Sequence, residues 1–166
     1  MNLLGIYKKI YLIRRSEELI VEHYKEDDMK TPMHMSMGEE AIAAGVCAAL
    51  GKRAQIFSTY RSHAAYLAAT EDIAGFFAEL YGKVTGPGGG KEGSPHMANP
   101  EQGVVLSSAV VATNISPALG AAFANRRLDN NKIAVTFFGD GAVDEGEFWE
   151  SINLALLWKL PVLFVY

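Results

Sequence analysis

The sequence predicts an α/β fold in which a parallel sheet is flanked by helices, and two observations favour it. The first is the order of elements near the end of the chain: a strand at 133–138, a turn, a helix at 145–158 and a strand from 161. Strand, helix and strand in that order describe a right-handed parallel crossover. The second is composition, because 166 residues with a 49% hydrophobic fraction can bury one core. We therefore expect a single domain over 1–166.

The N-terminal segment is predicted to form a long amphipathic helix over residues 3–26. Its apolar side chains recur at mostly helical intervals among charged ones, at Leu3, Ile6, Ile10, Ile13, Ile20 and Tyr24. Such a helix packs one face against a neighbour, and the region of Pro32 should end it. We assign residues 1–30 to this helix and residues 31–166 to the core of the domain.

The core is predicted to alternate helices and strands around one long loop. A small-residue helix at 38–50 precedes a short strand at 56–59, and a helix at 73–81 follows. Glycine and proline then exclude regular structure over 82–103. A loop of that length in a compact domain is usually functional or disordered. A helix at 116–126 leads into the crossover unit.

Composition excludes several classes of function. The formal net charge is -4 and the 15 lysines and arginines are scattered, which argues against a nucleic-acid partner. Charges at Lys8, Lys9, Arg14 and Arg15 interrupt the apolar N-terminus, so it does not resemble a signal peptide, and no membrane partner is expected. The single cysteine, Cys47, has no disulfide partner and lies in an apolar setting typical of a buried residue. We expect a reducing, cytoplasmic location.

The glycine-rich stretch GGGKEG satisfies a dinucleotide-binding pattern only on paper. Gly88, Gly90 and Gly93 have the required spacing, but no strand precedes them, and Pro95 and Pro100 prevent a useful helix afterwards. A nucleotide-binding oxidoreductase domain is therefore disfavoured.

The turn Gly139-Asp140-Gly141 is better placed to bind a ligand. It follows a strand directly, and the next helix begins with an apparent capping box of Asp144 and Glu147. Glycines let a backbone approach an anion such as a diphosphate, and a carboxylate beside phosphate oxygens suits a bridging magnesium ion. The alternative is an ordinary strand-to-helix turn with a solvated aspartate, and three residues alone do not separate the two.

Several motifs in order resemble one family. The GDG turn followed by LWKLPVLFVY resembles the opening of the thiamine diphosphate motif. HMSMGEEA, STYRSH and GGGKEGSPHM resemble three further segments of the alpha subunit of thiamine-dependent 2-oxo acid dehydrogenases, and the similarity runs from about Tyr7 onward. The resemblance implies a thiamine diphosphate-binding fold, incomplete at its C-terminus. It also implies an oxidoreductase that decarboxylates pyruvate or a related 2-oxo acid and passes the acyl group to a lipoyl carrier.

The resemblance also implies roles at the diphosphate end of the cofactor. Asp140 would be a magnesium ligand, and Gly141 and Ala142 would present amides to the diphosphate. Arg61 would hold the diphosphate as well, because a guanidinium fork can bind phosphate at two points. A plain salt bridge remains the alternative for Arg61.

Four other residues are implied at the ring and substrate ends. Tyr60 would lie beside the cofactor, and Ala109 and Val111 would contact its aminopyrimidine ring. His34 would face the substrate and orient one of its oxygens. A structural histidine remains the alternative for His34.

The end of the chain carries the largest departure from the family pattern. The run PVLFVY predicts a strand covered on both faces, and the sequence stops at Tyr166, where the family would continue with Glu-Asn-Asn. We expect a truncated domain that is inactive as an isolated fragment. The implied partners are a beta subunit in an α2β2 heterotetramer, a lipoyl-bearing acyltransferase and a small 2-oxo acid. The alternative is a non-catalytic or split-gene assembly module that needs a second chain to bind cofactor.

Overall fold

The computed structural model describes residues 2–166 and contains a parallel sheet with helices on both faces. Its strands are β1 (Ala54–Thr59), β2 (Val104–Ser108), β3 (Ile133–Phe137) and β4 (Val162–Val165). Its helices are α1 (Leu3–His23), α2 (Glu40–Leu50), α3 (His63–Thr70), α4 (Ile73–Leu80), α5 (Ile115–Leu128), α6 (Asp140–Val143) and α7 (Gly146–Leu157). The predicted α/β class with a parallel sheet is confirmed.

The strand order β2-β1-β3-β4 places the two most buried strands in the centre. All three pairings are parallel, with Ile56 opposite Val135 and Phe137 opposite Val165. The carboxyl ends of all four strands therefore meet at one edge of the sheet.

Alternating side chains of the central strands build a core on each face of the sheet. Ile56 and Val135 belong to one cluster, with residues of α1 to α4, whereas Phe57 and Ala134 belong to the other, with residues of α5 and α7. Successive side chains of a strand point to opposite faces of the sheet, so each central strand contributes to both cores.

The N-terminal helix forms as predicted. α1 buries Ile13 and Ile20 along one face, and a single 3-10 turn, Tyr24–Glu26, follows it. The side chain of Asn2 accepts a hydrogen bond from the Gly5 amide and so caps the helix. No helix within residues 2–166 is long and apolar enough to span a membrane.

Three elements were not predicted: α3, β2 and the short helix α6, which forms where a turn was expected. α3 has alanine-rich, almost fully buried residues without amphipathic periodicity, and β2 ends in Ser107 and Ser108, which weaken a strand pattern. Both follow from packing between the sheet and its covering helices rather than from a local pattern.

The predicted capping box was wrong. The turn after β3 runs straight into α6, and Asp144 has helical backbone angles at the end of that short helix. Glu145 is the N-cap of α7, without a side-chain capping bond, and Glu147 instead accepts from the Ser116 amide at 3.3 Å. Contact between α7 and α5 therefore decides where the Glu147 carboxylate lies.

The predicted burial of the last strand on both faces was also wrong for the described residues. β4 pairs with β3 alone within residues 2–166, and Leu163 is 39% exposed. A strand at the edge of a sheet has one unpaired side, which lowers its burial.

The glycine-rich loop is ordered around one buried carboxylate. Glu79 is 1% exposed and accepts hydrogen bonds from the amides of Gly88, Gly90, Glu92 and Gly93, at 2.9, 3.0, 2.8 and 3.1 Å. Burial alone would raise the pKa of Glu79, but these four donors outweigh it and hold the pKa below its ordinary value. The Glu79 carboxylate on α4 therefore fixes the conformation of the loop through hydrogen bonds with its backbone amides.

Candidate functional site

A cavity of about 520 Å³ opens at the carboxyl edge of the sheet. Its walls come from the segments that follow β1 and β3, from the start of α2 and from the end of β4. This edge is where open parallel sheets bind ligands, because the loops after the strands converge there.

The turn after β3 forms one wall of the cavity. Gly139 is extended, and a side chain added at Gly139 or Gly141 would meet nothing within 4 Å, so packing does not require either glycine. The open space instead lets a ligand approach the backbone. The Ala142 amide donates to the Gly139 carbonyl at 3.1 Å, which engages that amide inside the turn.

Asp140 is exposed at the mouth of the same cavity. Among residues 2–166, no salt bridge or side-chain hydrogen bond involves its carboxylate. Within the described part of the chain, no three His, Cys, Asp or Glu side chains gather into a metal site. Within residues 2–166, the Asp140 carboxylate is therefore available as a ligand for a cation.

Arg61 lines the same cavity as Asp140, from the segment after β1. Its Nη1 donates to the Met35 carbonyl, and its Nε lies 3.9 Å from Glu39 Oε1. The side chain is 40% exposed, and a guanidinium has five N–H donors, so most of them remain for an anion. The salt bridge anticipated as the alternative is present at this long distance, and it does not occupy the fork.

Tyr60 lines the cavity, and His34 packs against it from behind. Their ring centroids are 4.7 Å apart with an interplanar angle of 62°, an edge-to-face contact. His34 is half-buried and does not belong to the cavity wall. The structure thus brings Tyr60 to the site directly and His34 through Tyr60.

Of the two residues predicted to contact the aminopyrimidine ring, one lines the cavity and the other does not. Val111 lines the cavity, whereas Ala109 is exposed just after β2 and lies outside the wall. Ala112 lines it instead, is 2% exposed and has a positive φ of 67°. A left-handed alanine is strained by roughly 1 kcal/mol and is held only when its surroundings determine it.

A buried amide ties the strand ends together beneath the cavity. Asn114 Nδ2 lies 3.2 and 2.7 Å from the carbonyls of Phe57 and Phe137 and 3.0 Å from Thr136 Oγ1, and its two hydrogens are shared among these three acceptors. Phe137 itself lines the cavity. Asn114 therefore fixes the spacing of β1 and β3 where Arg61 and Asp140 emerge.

Sequence reasoning missed several residues of the wall. Glu39 and Ile42 come from the start of α2, and Ser58 and Thr59 from the end of β1. The signal that could have found Ser58 and Thr59 is their position at the end of a predicted strand. Glu39 lies within the segment HMSMGEEA, which could have pointed to it, whereas no local signal points to Ile42, because its place depends on how α2 packs.

The fold and the cavity define a class: an α/β domain whose ligand site lies at the carboxyl edge of a parallel sheet, with an acidic and a basic side chain in its lining. Residues 8–166 match the family model described as "Dehydrogenase E1 component". The chain belongs to that family.

Named relatives narrow the comparison. The chain is 38% identical to the alpha subunit of acetoin:2,6-dichlorophenolindophenol oxidoreductase of Bacillus subtilis, over 98% of this chain and 49% of that protein. It is 37% identical to the pyruvate dehydrogenase E1 component subunit alpha of Rhizobium meliloti, over 98% of this chain and 47% of that protein. The chain spans about half the length of these curated relatives, which are oxidoreductase subunits.

Proposed function

We propose that this chain supplies the diphosphate- and magnesium-binding part of a thiamine diphosphate site in the alpha subunit of a 2-oxo acid dehydrogenase. The observation that carries the proposal is the placement of Asp140 and Arg61 in the lining of one cavity, each just beyond the end of one of two neighbouring strands. The E1 dehydrogenase family depends in general on thiamine diphosphate. The proposal extends that dependence to the residues of this cavity.

The residues present fit the group. Magnesium prefers one or two carboxylates together with phosphate and water, and Asp140 is an exposed carboxylate with no other partner among residues 2–166. Arg61 has free donors for the diphosphate oxygens, and the backbone at Gly141 is open to them. Ala142 would contribute its amide only by sharing the hydrogen that it donates to Gly139.

The remaining roles concern the ring and substrate ends. When bound, thiamine diphosphate supplies the electron sink for decarboxylation of a 2-oxo acid. Tyr60 and Val111 would shape the walls around it, with Ala109 further out. His34, held edge-on by Tyr60, would orient a substrate oxygen.

The proposed substrate class rests on the names of the relatives. Their names specify pyruvate or acetoin, and both are small carbonyl compounds. Because those names also specify alpha subunits, we propose a beta subunit, an α2β2 assembly and a lipoyl-bearing acyltransferase as partners. The single buried cysteine is compatible with a reducing, cytoplasmic compartment.

A second candidate is a non-catalytic assembly module of the same family. It is favoured by one observation: Asp140 is the single carboxylate at the turn end of the cavity, and no three-residue metal cluster exists in residues 2–166. Such a module would keep the fold and its subunit contacts but would bind cofactor weakly.

Titration of the protein in its native assembly with thiamine diphosphate and Mg²⁺ tests the proposal. Asp140→Ala should weaken binding by at least about 100-fold, since loss even of an outer-shell partner weakens metal sites by 10 to 100-fold. Asp144→Ala is the matched control, because Asp144 is exposed nearby but does not line the cavity.

Unchanged affinity in Asp140→Ala would overturn the magnesium assignment. Failure of the unaltered assembly to bind the cofactor would favour the assembly module instead.

A further inference from the structure

A buried polar network joins three segments of the N-terminal half. His63 Nδ1, on α3, lies 3.0 Å from Glu17 Oε1 on α1, and His63 Nε2 lies 2.7 Å from Ser94 Oγ in the glycine-rich loop. All three residues are 0% exposed. Neither the cavity nor the proposed cofactor contacts uses them.

The hydrogen bonds determine where the protons lie. Within residues 2–166 the Ser94 hydroxyl has no acceptor other than His63 Nε2, so it donates there, and His63 Nδ1 then donates to Glu17. The Ser36 amide donates to the same Glu17 oxygen at 2.6 Å. The other oxygen of Glu17 is buried without a hydrogen-bond partner among the described residues.

This donor and acceptor order matches that of a hydrolytic serine, histidine and carboxylate triad, but the network cannot act as one. A triad needs its serine open to a substrate, whereas Ser94 and His63 are completely enclosed. A contribution to folding stability also does not account for this buried network. Replacing buried charges by apolar side chains is often neutral or stabilising, so an enclosed carboxylate such as Glu17 points to a geometric role.

The network leads directly to Arg61. Glu17 holds the Ser36 amide, and the preceding residue, Met35, offers the carbonyl that accepts from Arg61 Nη1. The Ser36 hydroxyl in turn accepts from the Ala64 amide at 3.4 Å, in the first turn of the helix that follows Arg61. The peptide group that Glu17 holds therefore contacts the guanidinium directly through the Met35 carbonyl, and Ser36 also anchors the start of the helix that follows Arg61.

The loop is tied to the same point. The Ser62 hydroxyl donates to the Ser94 carbonyl at 2.9 Å, beside the contact between Ser94 and His63. Ser62 is the residue immediately after Arg61. The glycine-rich loop, the start of α3 and the end of β1 therefore meet beside Arg61, which lines the cavity.

We propose that Glu17, His63 and Ser94 are positioning residues that hold Arg61 in its anion-binding orientation. The proposal rests on the proposed function, because it assumes that Arg61 binds the diphosphate. None of the three touches the cavity, so each acts only through the segment 35–36 or through the start of α3.

Calorimetric titration with thiamine diphosphate and Mg²⁺ in the native assembly tests this, with the melting temperature measured alongside. Glu17→Ala removes the acceptor of the Ser36 amide and should raise the dissociation constant about 10-fold or more, because small misplacements of binding groups have effects of this size. Glu17→Gln keeps an acceptor oxygen and loses only the charge, so it should restore the affinity to within about 3-fold.

Asn125→Ala is the control for a purely structural effect. Asn125 is also a buried polar residue, 5% exposed, and it donates to Gln55 at the amino end of β1, away from the cavity. It should lower the melting temperature and leave the dissociation constant unchanged. Should Glu17→Ala fail to fold, Ser94→Ala supplies the same measurement through the other end of the network, with an expected loss of about 3-fold or more.

Two results would overturn the inference: a dissociation constant within about 2-fold of the unaltered protein in the folded network variants, or a loss in Glu17→Gln as large as in Glu17→Ala. Asp140→Ala separates this failure from failure of the proposed function. If Asp140→Ala abolishes binding while Glu17→Ala and Ser94→Ala do not alter it, the cofactor site stands and the positioning role is wrong. If Asp140→Ala has no effect, the cofactor assignment itself fails.

Discussion

Replacing Glu79 with glutamine perturbs the glycine-rich loop at its organising point. Each carboxylate oxygen of Glu79 accepts from two loop amides, Gly88 and Gly90 on one oxygen and Glu92 and Gly93 on the other. A glutamine side chain has one oxygen and one NH₂ group, so in either orientation two of the four amides face a donor. The variant therefore loses two hydrogen bonds to a charged acceptor and leaves two loop amides facing a donor.

The expected loss of stability follows from those bonds. A hydrogen bond to a charged group contributes about 1.5 kcal/mol at the lower end of its range, so two give about 3 kcal/mol. For a domain of this size, that corresponds to a fall in melting temperature of about 6 to 12 °C. Calorimetry of both proteins measures the difference, and amide hydrogen exchange at the four loop positions locates it.

The effect should depend on pH in a defined direction. The pKa of Glu79 lies below its ordinary value of 4.5 in the folded chain, despite burial, because of the four amides. The stabilisation is therefore complete above the unfolded-state pKa and is lost as the pH falls through the folded-state pKa. Since glutamine does not titrate, the stability difference between the two proteins should shrink as the pH is lowered below 4.5.

Glu92→Gln in the same loop is the matched control. Burial raises the pKa of Glu92, against the hydrogen bond from the Ala98 amide, and the nearby charge of Glu79 raises it further. Removing this charge should not reduce stability at neutral pH, because a raised folded-state pKa means that the ionised form is disfavoured by folding. A stability loss in Glu79→Gln below about 1 kcal/mol, or one that stays constant down to acid pH, would refute the account of the loop.

Two further predictions concern the core. Burial raises the pKa of the Cys47 thiol from 9.0 to about 11. Its reaction with a thiol reagent at pH 8 should therefore be roughly 100-fold slower in the native protein than in denaturant. Equal rates in the two conditions would contradict the burial of Cys47. Asn114→Ala should lower the free energy of unfolding by about 2 kcal/mol, because the buried carbonyls of Phe57 and Phe137 lose their shared donor, and urea denaturation measures it. The exposed Asn153→Ala, on α7, is the comparison for Asn114, and equal effects in the two variants would count against the bridging role.

Much of the fold could be predicted because several of its helices and strands have distinctive local sequence patterns. The amphipathic period of α1 and the apolar runs of β1, β3 and β4 identify those elements, with errors of a few residues at their ends. α3 and β2 escaped because an alanine-rich buried helix and a short serine-containing strand have no distinctive period. The burial of β4 was overestimated because an apolar run shows what a strand could bury, not which neighbours lie beside it.

For the candidate site too, local motifs predicted some residues, whereas packing decided the places of others. The turn at Asp140 and the pair Tyr60 and Arg61 could be found from motifs, because each lies within a few adjacent residues. Their meeting in one cavity, and the places of His34 and Ala109 outside its wall, depend on how the strands pair and on how the loops pack.

The sequence by itself determined the α/β class, the position of the turn after β3 and the membership of the dehydrogenase E1 component family. Only the tertiary structure decided which groups hydrogen-bond to the buried carboxyl groups of Glu17 and Glu79. The physical reason is that apolar periodicity is a property of neighbouring residues, whereas a buried carboxylate must find its donors in segments far along the chain. Those donors are known only once the helices, strands and loop are packed together.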